Sequence, residues 1–156
     1  MVRTSQRSVP IALFILAVAL LGARIIVQTT TKRDPAKDDL VRWTSLREGV
    51  QRAAQTGKPI LLDFTADWCQ PCHMLDEEVF RNPAIAREIN ERFIAIRVVD
   101  RKREEGRNPP DVAGLQQRFR VRGFPTVIFA VGGGERGRME GFRGADEFER
   151  VMESVR

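Results

Sequence analysis

The stretch "LLDFTADWCQPCHML", Leu61 to Leu75, carries both cysteines of the chain, Cys69 and Cys72, together with its single histidine, His73. Upstream, "PILLDFT" (Pro59 to Thr65) is a short apolar run bounded by turn residues. Without polar alternation it suits a strand covered on both faces, as in a parallel or mixed central sheet. A helix is expected from near Cys69 to about Phe80. The cysteines therefore fall where a buried strand gives way to a helix.

Four uses of Cys69-Gln70-Pro71-Cys72 compete. A structural zinc site needs four ligands, and beyond Cys69, Cys72 and His73 the chain offers no further Cys or His. A structural disulfide gains by closing a long loop in the unfolded chain, and so short a loop gains little. Two inert core cysteines fit poorly at a strand-to-helix junction. The redox reading fits best: at a helix start, unpaired N–H groups and the positive dipole end favour a thiolate at Cys69. Cys72, one turn on, is placed to resolve a mixed disulfide. Pro71 in the first turn forgoes only a donor that would be unpaired there anyway.

Asp63 interrupts the apolar run, and a charged, unpaired carboxylate on a doubly covered strand is expensive. It is expected to resist ionising and to hold or take the proton of Cys72. The competing reading is a solvated edge position. Trp68 reads either as core filler or as a lid beside the sulfurs, and His73 as an exposed helix residue. Asp67, Asp76, Glu77 and Glu78 are expected on a solvated rim.

Outward from this centre, Ser45-Leu46-Arg47-Glu48 matches a capping box. It opens a helix with Leu46, Val50 and Ala53 or Ala54 on one face, stopped by Gly57. Asn82-Pro83 caps a helix through Glu91. "FIAIRVV" (Phe93 to Val99) is a second buried-type strand, and Asp100 to Pro110 a charged loop. Asp111 to Phe119 reads as a helix and Phe124 to Val131 as a strand. Gly132 to Gly134 reads as a hairpin, Arg138 to Phe142 as its partner strand, and Ala145 to Val155 as a closing helix. This order implies a central sheet flanked by helices.

The formal charge of +5 does not point to nucleic acid. Of 26 basic side chains, five fall in residues 1–33, which carry no acid, so the remaining 21 face 21 acidic ones. Residues 1–8 form a positive n-region, and Val9 to Val27 is apolar except for Arg24. At about 1.5 Å of rise per residue that run spans the core of a bilayer. It is expected to be a membrane anchor, or a cleaved signal peptide. Either exports the folded domain. Residues 28–40 form a polar tether, leaving residues 41–156 as one domain.

"DFTADWCQPC" followed by "RGFPT" (Arg122 to Thr126) resembles the thioredoxin superfamily. The chain is most similar there to the periplasmic C-terminal domain of thiol:disulfide interchange proteins, through "GKPILLDFTADWC", "EEVFRNPAI" and "GFRGADEF". The likeness covers Trp43 to Arg156. It implies an α/β fold, a thioredoxin-like central mixed β-sheet flanked by helices, here behind an N-terminal hydrophobic helix. It also implies a cis Pro125 facing the cysteines, with Trp68, Gln70, Pro71, Gly123 and Phe124 contacting an extended substrate. Thioredoxins commonly carry a lysine beside the buried acid, whereas "AIRVV" offers Ile96 or Arg97. The interchange family adds a many-helix electron conductor, and these residues contain one candidate crossing.

The function so implied is a thiol:disulfide oxidoreductase, tethered to the bacterial inner membrane and facing the periplasm, or soluble there after signal cleavage. Its clients are disulfide-containing exported proteins, and a membrane or soluble donor recharges it. Cys69–Cys72 is its redox centre, without metal or further cofactor. Gln70-Pro71 lacks the histidine of strongly oxidising relatives, which favours reduction. An oxidant or isomerase, or a non-catalytic binding or assembly module, is the alternative.

Overall fold

The computed structural model describes residues 39–155. The n-region, the apolar run at 9–27 and all but the end of the tether lie outside the described residues. Among the described residues no helix is long and apolar enough to cross a membrane.

Five strands form one mixed sheet in the order β1-β3-β2-β4-β5. β2 (Ile60–Ala66) lies at its centre, parallel to β3 (Ile94–Asp100) and antiparallel to β4 (Thr126–Val131). β1 (Trp43–Thr44), too short to register as a sequence pattern, extends the β3 edge in parallel. β5 (Gly134–Glu140) closes the other edge as a hairpin with β4.

The strand pleat divides the core in two. One face gathers Leu61, Ala95, Val127 and Phe129 under Val79, Phe80, Ile89 and Phe148. The other gathers Leu62, Phe64, Ile96 and Ile128 against Phe119. Each fully buried Leu, Ile or Phe contributes about 1.5–3 kcal/mol, so the sheet centre anchors the domain. α3 (Pro83–Arg92) and α6 (Ala145–Ser154) supply the first face, α1 (Leu46–Thr56) and α5 (Pro110–Arg118) the second.

Local signals explain most boundaries. Ser45 accepts a hydrogen bond from the Glu48 N–H, and Gly57 ends α1 with φ 71°. Asn82 caps α3 through the N–H groups of Ala84 and Ile85. Gly49, not Val50, is the buried residue of α1, because a side chain there would collide with Ile96. Val50 is 50% exposed, beside an open apolar cleft of about 510 Å³.

Several expectations are corrected. The helix after the cysteines is α2 (Gln70–Leu75), which widens into a π-helical turn over Asp76–Phe80. The Asp100 to Pro110 loop contains a helical turn, α4 (Lys102–Glu105), and begins with a buried carboxylate. Asp100 accepts from the Lys102 N–H and from the Asn108 and Gln116 amides, which pins the loop. The strand expected from Phe124 starts at Thr126, because Pro125, which follows a cis peptide bond, has no N–H to donate to a ladder. Its partner runs over Gly134–Glu140 instead of Arg138 to Phe142, since Gly132 and Gly133 alone make the positive-φ turn.

Candidate active site

Cys69 caps the N-terminus of α2 with an extended backbone, and its Sγ accepts the Cys72 N–H at 3.3 Å. Its carbonyl accepts from the N–H groups of Cys72 and His73. Pro71 lies in the first turn. Cys69 and Cys72 are joined in a disulfide. Both are 2% exposed in this oxidised form, packed with Ala66 and Phe124. The bond to Cys72 draws Cys69 over the first turn of α2.

Asp63 is buried in the middle of β2, and the edge reading is excluded. Its Cα partner across the parallel register is Arg97, whose Nε donates to Asp63 Oδ2 at 2.9 Å. Of the two candidates for the neighbouring strand, Arg97 is therefore the partner. Ile96 points to the opposite core. Arg97 also pairs with Asp76 and, at 3.4 Å, with Asp39, and its guanidinium lies 4.2 Å from the Trp43 ring centroid. Asp76 is thus part of a half-buried ion cluster and not of a solvated rim.

One cation shared among three carboxylates cannot favour ionising all of them. Burial raises Asp63 to about 6, against the opposing attraction of Arg97. Asp76 is raised by the same balance. Burial works against the charge of Arg97, but the three acids outweigh it and hold the guanidinium above its ordinary value. Asp63 Oδ1 is buried without a hydrogen-bond partner. That oxygen is where a proton sits when the carboxyl is neutral.

Around the cysteines, Trp68 is 48% exposed, which excludes the core-filler reading. Its ring meets Phe124 edge-on with centroids 6.0 Å apart. Pro125 is cis and buried, Gly123 is exposed, and the Gly123 carbonyl accepts from Thr126 Oγ1 at 2.8 Å. Gln70, Pro71 and His73 are exposed on α2. His73 Nε2 reaches the Asp67 carbonyl at 3.1 Å, as a donor. Asp67 is exposed but pairs with Arg101, while Glu77 pairs with Arg81 and Glu78 is exposed. Arg103 stacks over Trp68 at 5.1 Å.

Sequence reasoning missed two things here: the sharing of Arg97 with Asp76, and the reach of the Asp100 to Pro110 loop to Trp68. The first was legible only as an acid one turn beyond Cys72. The second had no signal, because the loop's path depends on the buried Asp100.

Comparison with known proteins agrees with this geometry. The profile described as "Thioredoxin-like domain" matches residues 46–156. The chain is 33% identical over 108 residues to "Thiol:disulfide interchange protein DsbD" of Campylobacter jejuni (strain RM1221), covering 68% of this chain and 18% of that protein. It is 30% identical over 152 residues to the DsbD of Haemophilus ducreyi, covering 92% of this chain and 26% of that one. The chain thus spans about a fifth to a quarter of the length of these curated relatives. The structure of the reduced Neisseria meningitidis DsbD C-terminal domain superposes with a TM-score of 0.56 at 26% identity, over 71% of this chain and 94% of that one. With the cysteine pair capping α2 and a cis proline before β4, the chain belongs to the thioredoxin-like domain family.

Proposed function

We propose that this protein is a membrane-tethered thiol:disulfide oxidoreductase that reduces disulfides of exported proteins on the periplasmic side of the inner membrane. The observation that carries it is the Cys69–Cys72 disulfide at the N-terminus of α2, packed against Phe124, in a domain that also holds a cis Phe124–Pro125 bond and a buried Asp63 of raised pKa. The likeness to thiol:disulfide interchange proteins supports the compartment. So does the apolar run at residues 9–27.

In the reduced protein the Cys69 thiolate attacks one sulfur of a client disulfide, forming a mixed disulfide and expelling the other sulfur, which takes a proton. Cys72 then gives its proton to Asp63 and attacks Cys69 Sγ. The client's second thiolate leaves and takes up a proton as Asp63 returns to its carboxylate, and the Cys69–Cys72 disulfide forms. The client gains two electrons and two protons, and an upstream dithiol donor must return the same to the pair. Phe124 packs against the sulfurs and the exposed Trp68 packs edge-on against Phe124, so a client strand would lie along Gly123, Phe124 and Pro125 with Trp68 at its rim. Gln70 and Pro71 would form the opposite lip.

Reduction of insulin by the full chain with dithiothreitol tests the reading. Turnover is expected for the wild type and not for Cys69→Ala. Equal rates would overturn the redox assignment.

A further inference from the structure

Resting on that reading, we infer that the cleft lined by Lys102, Arg107, Arg120 and Arg122 is a subsite for an acidic stretch of the client chain next to its disulfide. The cleft holds about 650 Å³ between the α4 turn, α5 and the segment just after α5, and no carboxylate lines it. All four cations are exposed. Among the described residues, none of them lies within ion-pair distance of a carboxylate side chain. Asp100, two residues before Lys102, is occupied by the Lys102 N–H and by the amides of Asn108 and Gln116. Glu104, Glu105 and Asp111 belong to the same segment but do not line the cleft. A neighbouring cavity shares Arg120 and Arg122, but its acids Glu135 and Glu140 are already bound by Arg138.

Position ties this charge to the redox centre. Arg122 immediately precedes Gly123, Phe124 and the cis Pro125. From the other side, Arg103 stacks on Trp68, which packs against Phe124. A client strand laid along Gly123 to Pro125 would continue past Arg122 into the cleft, and its flanking side chains would meet the cations. Because residues 34–156 carry equal numbers of acids and bases, the cleft is a local excess and not part of a generally basic surface. Such complementarity selects partners and speeds encounter more than it adds raw affinity.

The test uses the full chain and two synthetic disulfide peptides, identical except that glutamates flank the disulfide in one and glutamines in the other. Affinity is read by fluorescence anisotropy on versions with serine in place of cysteine, so it is decided apart from the redox chemistry. The acidic peptide is expected to bind about tenfold more tightly at low ionic strength. The gap should shrink towards 0.1 M salt, where the Debye length is about 10 Å. The combined variant Lys102→Gln, Arg107→Gln, Arg120→Gln should bring the ratio close to one, and Arg107→Glu should lower it by itself. Equal binding of the two peptides by the wild type, or a preference that survives the triple substitution, would overturn the inference. Tighter binding to vesicles of anionic phospholipid than to the acidic peptide would overturn it in favour of a membrane-facing surface. Failure to reduce either disulfide peptide would instead strike the redox assignment, while the binding ratio still decides the subsite.

Discussion

Asp63 and Arg97 are direct partners across the parallel β2–β3 register, joined by an Nε to Oδ2 hydrogen bond of 2.9 Å. The same guanidinium also reaches Asp76 and Asp39. The buried acid therefore has a cation beside it but not one to itself. This leaves Asp63 able to carry a proton at its unpartnered Oδ1 and to exchange it near neutral pH.

Asp63 should lower stability as pH rises. Its folded-state pKa lies above the ordinary 3.8, at about 6, so the native state holds a proton that the unfolded state releases. The stabilisation is complete below 3.8 and is lost as pH climbs through about 6. At about 1.4 kcal/mol per pH unit, the loss is about 3 kcal/mol. Asp63→Asn removes the titration. Urea unfolding of the oxidised protein should find wild type and variant similar at pH 4 and the variant more stable at pH 7.5.

The same substitution separates the two chemical steps. Asp63→Asn should leave formation of the mixed disulfide nearly unchanged and slow its resolution about a hundredfold, the usual scale of a lost general base. In the wild type, resolution should accelerate as pH rises through about 6. Rapid-quench trapping of the mixed disulfide measures both, and equal slowing of both steps would count against the proton role.

Arg97→Met leaves three carboxylates without their shared cation. Removing one member of a buried ion cluster typically costs 3–5 kcal/mol, and the partial exposure of this one places the expected loss at the low end. Asp63 should move further up, carrying the pH dependence of resolution with it. Combining Arg97→Met with Asp63→Asn should recover part of the stability, since one uncompensated charge is then gone.

How much of this was legible beforehand varied with the kind of signal. Strand β2 and the helix caps at Ser45 and Asn82 are local, written in residue type and spacing, and they appear where expected. The burial of Asp63 also followed from its neighbours. Its partner did not, because Ile96 and Arg97 differ only in which face of β3 they occupy, and that depends on a register set by the whole sheet. Asp76 looked like any solvated acid of an amphipathic helix until the π-helical turn and β3 brought it to Arg97. The Asp100 loop could be recognised as charged, but its fold rests on the side-chain bonds to Asn108 and Gln116.

Gly49 marks a place where helix and sheet approach too closely for a side chain. A Cβ there would lie 2.5 Å from Ile96 Cδ1 and 2.8 Å from Thr44 Oγ1. Gly49→Ala is expected to cost about 1–3 kcal/mol by overpacking, despite the better helix propensity of alanine. Ile96→Val removes the nearest atom and should relieve part of the loss in a denaturation double-mutant cycle.

Cys69 is the sulfur expected to ionise first on reduction. In the disulfide its Sγ already accepts the Cys72 N–H, and as the cap of α2 it faces the unpaired donors of the first turn. Both favour negative charge there and would persist when the bond to Cys72 opens. Cys72 lies inside the helix, buried, and among the described residues no donor is hydrogen-bonded to its sulfur, so burial opposes its thiolate. Iodoacetamide alkylation of the reduced protein should therefore modify Cys69 alone, with a midpoint below the ~8.5 of a free thiol. Preferential alkylation of Cys72, or a midpoint at or above that of a free thiol, would remove the nucleophile on which the proposed chemistry depends.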